Sequence, residues 1–232
     1  MIERITVIGA RGRVGAALSG RLAGRGVDVR PEGEPVDVVL VCVPDRAIAE
    51  VASFTPIGPW VGHVSGATPL SALAPHVRRF GLHPLQTFTH ERGPEQLDGA
   101  FAAVSGDDAE GIAVATALAE LLGLRPFVLA DGARGAYHAG AVMAANYLVT
   151  LRRAAGRLLE TAGAPPAALE PLMQRVLDNR FALTGPIDRG DWATVERNLE
   201  AIRTAAPELE PAYTALAELT ARQAGVTREA SA

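Results

Sequence analysis

Apolar and polar positions along the chain fall into two regimes that change near Asp131. Up to that point short β-branched runs alternate with helical stretches, the pattern of parallel βα units. "RITVIGA" opens as a strand, and "VDVVLVCVP" is apolar enough to be a strand buried on both faces. Residues 60–66, 80–86, 100–106 and 125–130 are further strand candidates, with helices expected over 45–53, 69–77 and 108–122. Beyond Asp131 no strand-like run occurs, and helices separated by Gly and Pro are expected. The first is long, over about 133–162, and stops at "GAPP"; others fall over 191–205 and 211–224. "VTREASA" reads as a loose tail. The predicted architecture is a mainly parallel α/β domain over residues 1–130, then an all-helical domain over 131–232.

Between the first strand and its helix, "GARGRVG" places glycines at 9, 12 and 15, one residue longer than the usual GxGxxG. Such glycines permit a tight turn, close approach of backbone amides to a pyrophosphate, and close helix packing. With Arg11, Arg13 and Val14 between them, Gly9, Gly12 and Gly15 form a candidate phosphate cradle; the alternative is a tight βα turn that holds no ligand. The next strand, "VDVR", ends in Arg30, where an NAD-binding domain carries Asp or Glu. That favours the 2′-phosphate of NADP, against the alternative of a solvated surface charge. The connection "PEGEPV" then spans at most about 20 Å, too short for a crossover helix. The expected fold is therefore Rossmann-like with a shortened second βαβ unit, a reduced wall on the adenosine side, and weakened cofactor binding.

The chain has 232 residues, 48% of them apolar, and a formal charge of −4. It can bury a sizeable core and offers no general electrostatic reason to bind nucleic acid or an anionic membrane. The longest apolar run, 136–149, falls short of a membrane span. Glu3 and Arg4 stand where a signal peptide needs an apolar core, so a cytoplasmic protein is expected. Cys42 is the only cysteine, and the evenly spaced His76, His83 and His90 have no accompanying carboxylate or thiol set, so no metal site is expected. No lysine occurs, which excludes Schiff-base chemistry, a P-loop lysine and a lysine general acid.

Ligands of open α/β sheets collect at the carboxyl ends of strands, where Pro44, Ser65, Gly66, His83 and Gln86 are expected. Ser65 serves a turn or helix cap equally well. His83 precedes Pro84, which favours extended geometry and ends the strand; the alternative is a structural histidine bonded to backbone. His138 and Asn146 interrupt an apolar helix rich in small residues, about 12 Å apart on one side, so each needs a partner or lines a cleft. In "LTGPIDRGD", Asp191 is placed to cap the next helix, while Arg189 grips a substrate carboxylate or pairs with Asp188 or Asp191. A helical domain of this size with a long alanine-rich helix has difficulty covering its apolar stripes alone, so a homodimer is expected.

The segments "VPDRAIAEVA", "HVSGA", "GLHPLQTF", "YHAGAVMAANYLVTL" and "ALTGPIDRGDWATVERNL" resemble Rossmann-like proteins that carry the C-terminal domain DUF2520. These are relatives of ketopantoate reductase, pyrroline-carboxylate reductase, prephenate dehydrogenase, F420-dependent NADP reductase and the 6-phosphogluconate dehydrogenase-like group. The resemblance implies an NADP-dependent oxidoreductase that reduces a small carbonyl or imine acid in a cleft between the two domains. It implies Val43 and Pro44 beside the nicotinamide ribose, Ser65 facing the reacting carbon, and Gln86, Thr184 and Arg189 on the substrate side. Enzymes of the hydroxyisobutyrate dehydrogenase type use a lysine on the helix corresponding to 133–162. Here His138 is the first choice for that acid/base role and His83 the second, with Asn146 beside them. Two departures stand out: the longer glycine turn with its short connection, and Asn198 where the family pattern has a histidine. The alternatives are a relative that binds a small phosphorylated ligand without hydride transfer, and a non-catalytic dimerising protein.

Overall fold

A computed structural model describes residues 2–227. Seven strands form one sheet in the order β2-β1-β3-β4-β5-β6-β7. The strands are β1 (Arg4–Ile8), β2 (Asp28–Val29), β3 (Val38–Val41), β4 (Trp60–His63), β5 (Arg79–Pro84), β6 (Phe101–Gly106) and β7 (Arg125–Val128). β1 to β5 pair in parallel, β6 turns antiparallel to β5, and β7 is parallel to β6. This is a mainly parallel, Rossmann-like sheet.

Alternation along the strands assigns the two faces. Ile5 and Val7 join Val38, Leu40, Phe80, Leu82, Ala102 and Val104 in the larger core. That core is closed by α1 (Arg13–Gly24) through Ala17, Leu18 and Leu22 and by α3 (Ala109–Leu121) through Ala115, Leu118 and Ala119. Ile8, Val39, Val41 and Val61 face the other way, onto Ile48 and Ala52 of α2 (Ile48–Phe54). Asp108 caps α3, its side chain accepting from the Gly111 N–H at 2.8 Å.

The shortened second unit is visible in the topology. After α1 the chain adds two residues as β2 at the edge of the sheet, and the connection returns to β3 on the other side of β1. No described strand lies beyond β2. The connection, α2 and the loop 56–59 border a cavity of about 760 Å³ over Thr6, Ile8 and Val39, on the face that a crossover helix would cover.

Two expectations are corrected. Residues 69–77 are no α-helix: only a 3-10 turn, Leu70–Leu73, forms, because Pro69 and Pro75 bracket the segment and Ala74 is extended before Pro75. The long helix is also not uniform. It runs as α4 (Arg134–Val142), a π-helical turn (Met143–Tyr147) and α5 (Leu148–Thr161).

By packing, the chain divides into two units, one ending at Ala145 and one beginning at Asn146, so α4 stays with the sheet. In the second unit α5 packs on α6 (Leu169–Asp178) and α7 (Trp192–Ala205), and α7 on α8 (Glu210–Ala224). Asp191 caps α7, accepting from Thr194 N–H at 3.1 Å and from its hydroxyl at 2.7 Å. No helix among the described residues is long and apolar enough to cross a membrane. Of the segment read as a loose tail, 228–232 lies outside the described residues.

Candidate active site

Two constellations gather at the carboxyl ends of the parallel strands. The first is the glycine turn after β1. Gly9 has φ +88°, and a Cβ there would strike the Cys42 carbonyl at the end of β3. A Cβ on Gly15 would strike the Gly9 carbonyl, so these two glycines let strand, turn and helix close on one another. Gly12 differs. Its Cβ would meet only the Gly9 carbonyl, at 3.3 Å, and its backbone is exposed. Gly12 is the N-cap of α1, with no side chain capping it and no acid in the first turn. The amides of Arg13, Val14 and Gly15 thus have no partner within the helix, and the exposed Arg11 and Arg13 flank them. Partly positive amides, two guanidiniums and an uncovered glycine suit an anion.

Arg30 lies past β2 with its Nε 2.7 Å from Asp28 and 4.0 Å from Glu34, and its Nη1 donating to the Pro35 carbonyl. The side chain is held against its own loop. Val43 touches the Gly9 position at 3.4 Å and Pro44 is exposed just after. Burial pushes the Cys42 thiol up to about 12, so it stays protonated.

The second constellation joins the ends of β4 and β5 to α4. His83 Nδ1 lies 2.7 Å from the Tyr137 hydroxyl, with the rings edge to face at 5.4 Å. The His138 ring is 6.3 Å from that of His83. Both imidazoles close on Gly66, where a Cβ would come 3.0 Å from His138 Nδ1 and 3.0 Å from His83 Nε2. His138 Nδ1 is buried without a hydrogen-bond partner among the described residues. Burial pushes the His83 imidazole down to about 4, reinforced by His138 and Arg134 and opposed by Asp45. Burial likewise pushes the Tyr137 phenol up to about 12, with Arg134 opposing. At neutral pH the pair is a neutral imidazole and a neutral phenol sharing one hydrogen bond.

Arg134 fastens this helix to the sheet. Its fully buried guanidinium donates to Asp131 (2.6 Å), to the Ser65 carbonyl (3.1 Å) and to the Ser105 hydroxyl on β6. Gly81 on β5 makes room, since a Cβ there would run into Arg134. Asp131 also accepts from the Leu70 N–H. Ser65 is taken up in the turn after β4. Its hydroxyl donates to Asp45 at 2.8 Å and accepts from the amides of Ala67 and Thr68, with the Thr68 hydroxyl at 2.9 Å. The Ser65 N–H donates to Nδ1 of the fully buried His63, whose imidazole burial holds at about 4.

Of the residues expected from sequence, the sheet unit brings together Ser65, His83 and His138. Gln86 lies beyond β5, exposed, its side-chain oxygen accepting from the Thr87 N–H. Asn146, Thr184 and Arg189 belong to the second unit, each exposed, Asn146 within the π turn. Tyr137, Arg134, Asp131, His63, Asp45 and Thr68 escaped the sequence reading. For three residues a signal existed: Arg134, Tyr137 and His138 are spaced i, i+3, i+4, one face of a helix.

Residues 100–220 match the family model for DUF2520, a domain of unknown function, over just over half of the chain. A structure from Thermotoga maritima is 26% identical, covering 95% of this chain and 97% of that one with a TM-score of 0.77. A Bacteroides fragilis protein named as a candidate NADP oxidoreductase is 19% identical, covering 95% and 98%, with a TM-score of 0.77. The Aspergillus terreus reductive aminase, solved with NADPH and ethyl-5-oxohexanoate, is 16% identical, covering 96% and 95%, with a TM-score of 0.68. No curated protein matches the chain by sequence.

Proposed function

The chain belongs to the DUF2520 family, and from its site geometry we propose that it is an NADP-dependent oxidoreductase reducing a small carbonyl or imine acid. One observation carries the reading. The carboxyl ends of β1, β4 and β5 hold, on one sheet, an uncapped glycine turn and a half-buried His83–Tyr137–His138 cluster. The neighbours named for NADP or solved with NADPH have the same fold and support the choice of cofactor.

The residues fit the pyrophosphate better than the adenosine. Gly12 leaves its backbone open, the amides of Arg13, Val14 and Gly15 would hold the phosphates, and Arg11 and Arg13 would supply charge. Arg30 would hold a 2′-phosphate on giving up its contact with Asp28, and Val43 and Pro44 would lie on the ribose side. The bound nicotinamide supplies the hydride. The protein then has to supply a proton, and without lysine that task falls to the histidines. His138 holds it, since its Nδ1 has no competing partner. Tyr137, donating to His83 Nδ1, leaves the His83 proton on Nε2, beside Gly66, where it polarises the carbonyl or imine. Ser65 keeps the turn that presents these groups, and Gln86 lies on the substrate side. Exposed Leu172, Val176 and Phe181 support a homodimer formed through the second unit.

Titration with NADPH, NADH and inorganic phosphate, followed by nicotinamide oxidation with a panel of 2-oxo acids and cyclic imines, tests the reading. NADPH binding with turnover of one panel member is expected. Phosphate binding without nicotinamide binding would instead favour a relative that takes a small phosphorylated ligand, a reading supported by the two-residue β2 with no described strand beyond it.

A further inference from the structure

Gly81 leaves a gap in one row of the sheet, and a side chain from α4 fills it. On the face opposite α1 and α3, His63 of β4 pairs with Gly81 of β5, and Gly81 with Ser105 of β6. Paired residues point to the same side of a sheet, so a residue with no side chain stands between those of His63 and Ser105. Arg134 occupies the place, since a Cβ on Gly81 would run into its Nη2. Each guanidinium nitrogen there has its own acceptor. Nη2 donates to the Ser105 hydroxyl, Nη1 to the Ser65 carbonyl at 3.1 Å, and Nε to Asp131 at 2.6 Å.

The next row, two residues nearer the carboxyl ends, carries the site. His83 follows Gly81 on the same face, and Ser65 follows His63. Ser65 is held from the row beneath on both sides of its backbone, its N–H donating to His63 Nδ1 at 3.3 Å and its carbonyl accepting from Arg134. That fixes the peptide leading into Gly66, the residue on which His83 and His138 close. Arg134 also begins α4, and Tyr137 and His138 stand three and four positions on, one turn above it. One side chain thus sets both the turn that carries Gly66 and the helix that carries the two rings. An apolar side chain would fasten a helix to a sheet with no charge to bury. It would not take three acceptors from three segments, as the planar fork of an arginine does.

We propose that Arg134 is the positioning residue of this site, setting the register in which His83, Tyr137 and His138 meet over Gly66. The proposal deepens the oxidoreductase reading and rests on it only for turnover. The charge has a second effect. The guanidinium lies beneath His83 and beside His63, and both imidazoles are held at about 4, by burial first and with Arg134 acting in the same direction. Of the other groups facing His83, His138 also lowers it, Asp45 opposes, and the Tyr137 hydroxyl is bonded to Nδ1. At His63 the opposing groups are Asp131 and Asp45. Position and charge together keep His83 a neutral ring with its proton on Nε2.

Nuclear magnetic resonance of the histidine rings in the full chain, followed against pH without cofactor, tests the role. In the native chain His83 is expected as a single tautomer protonated on Nε2. Arg134→Gln, shown to be folded by a cooperative melt, should mix the tautomers and raise the His83 midpoint by about one pH unit or more. Arg134→Lys restores the charge without the fork, so the midpoint should return most of the way while the tautomers stay mixed. Ser105→Ala removes one anchor and no charge; it should mix the tautomers with little change in midpoint, and it decides the matter if Arg134→Gln does not fold. A single Nε2-protonated tautomer in Ser105→Ala and in every folded Arg134 variant overturns the proposal. Its failure is separate from that of the reductase reading. NADPH oxidation by the native chain, with ring signals indifferent to Arg134, sinks the positioning role alone, whereas Arg134-dependent ring signals without NADPH oxidation sink only the reductase.

Discussion

The Tyr137 hydroxyl and His83 Nδ1, 54 positions apart in sequence, meet at 2.7 Å. This bond ties α4 to the end of β5 and fixes which ring nitrogen of His83 faces Gly66. Tyr137→Phe removes the bond and leaves the ring packing on Phe127 in place. A stability loss of about 1 kcal/mol is expected. Turnover should fall about 100-fold or more if the cluster handles the proton, with NADPH affinity unchanged. Steady-state kinetics beside a binding isotherm separate the two effects.

The protein should lose stability as pH falls from about 6.5 toward 4. Burial holds His63 and His83 at about 4, below the ordinary histidine value. In that window the unfolded chain takes up protons that the folded chain refuses, so acid favours unfolding. For the fully buried His63 the loss across the window is on the order of 3 kcal/mol. Urea unfolding at several pH values would show the slope, and His63→Gln should flatten it.

Gly12→Ala and Gly15→Ala should separate binding from folding. A methyl at 12 meets only one carbonyl at 3.3 Å, so the fold survives at a cost of about 1 kcal/mol or less. The same methyl stands where a phosphate would approach, and NADPH binding should drop at least about ten-fold. At 15 the methyl runs into the Gly9 backbone, and roughly 2 kcal/mol or more of stability should go. Thermal melts with and without NADPH read both effects. Normal NADPH binding by Gly12→Ala would remove the turn from the ligand site.

Dinucleotide affinity should be modest, with a Kd for NADPH no tighter than about 1 μM, reflecting about 2 to 4 kcal/mol of missing adenosine contacts. β2 ends the sheet after two residues, so the wall that would grip the adenosine is reduced. Nicotinamide mononucleotide should retain most of the affinity. Calorimetry returning nanomolar NADPH binding would show that other residues hold the adenosine.

Local grammar made much of this architecture legible. The buried run 38–41, the glycine turn and the Asp191 cap each declare themselves within a few residues, and the six-residue connection announced the shortened second unit. The site was legible where a polar side chain broke an apolar pattern, as His138 does, or closed a strand, as Ser65 and His83 do. Arg134 gave no such signal, because its partners Ser65 and Ser105 lie 69 and 29 positions away. Tyr137 was not singled out either, since its partner His83 lies 54 positions away. The 3-10 turn at 70–73 was hidden too: its apolar spacing imitates a helix, and the two flanking prolines decide otherwise.

The brevity of β2 has a further consequence, for how the molecule avoids its own kind. An open sheet has two rims, each able to recruit a strand from a neighbouring molecule. At one rim, Asp28 and Arg30 spend their N–H groups on Glu3 and Ile5, leaving Val29 alone to donate outward before Pro31 ends the strand. At the other rim, Arg125 and Leu129 donate inward to Ala100 and Val104, so the outward donor positions fall on Pro126, which has no hydrogen to give, and on Val128, which alone donates outward. Both rims are thereby poor templates for strand addition. The truncation that thins the adenosine wall also removes a sticky border, and Pro126→Val would be expected to restore one at the opposite side.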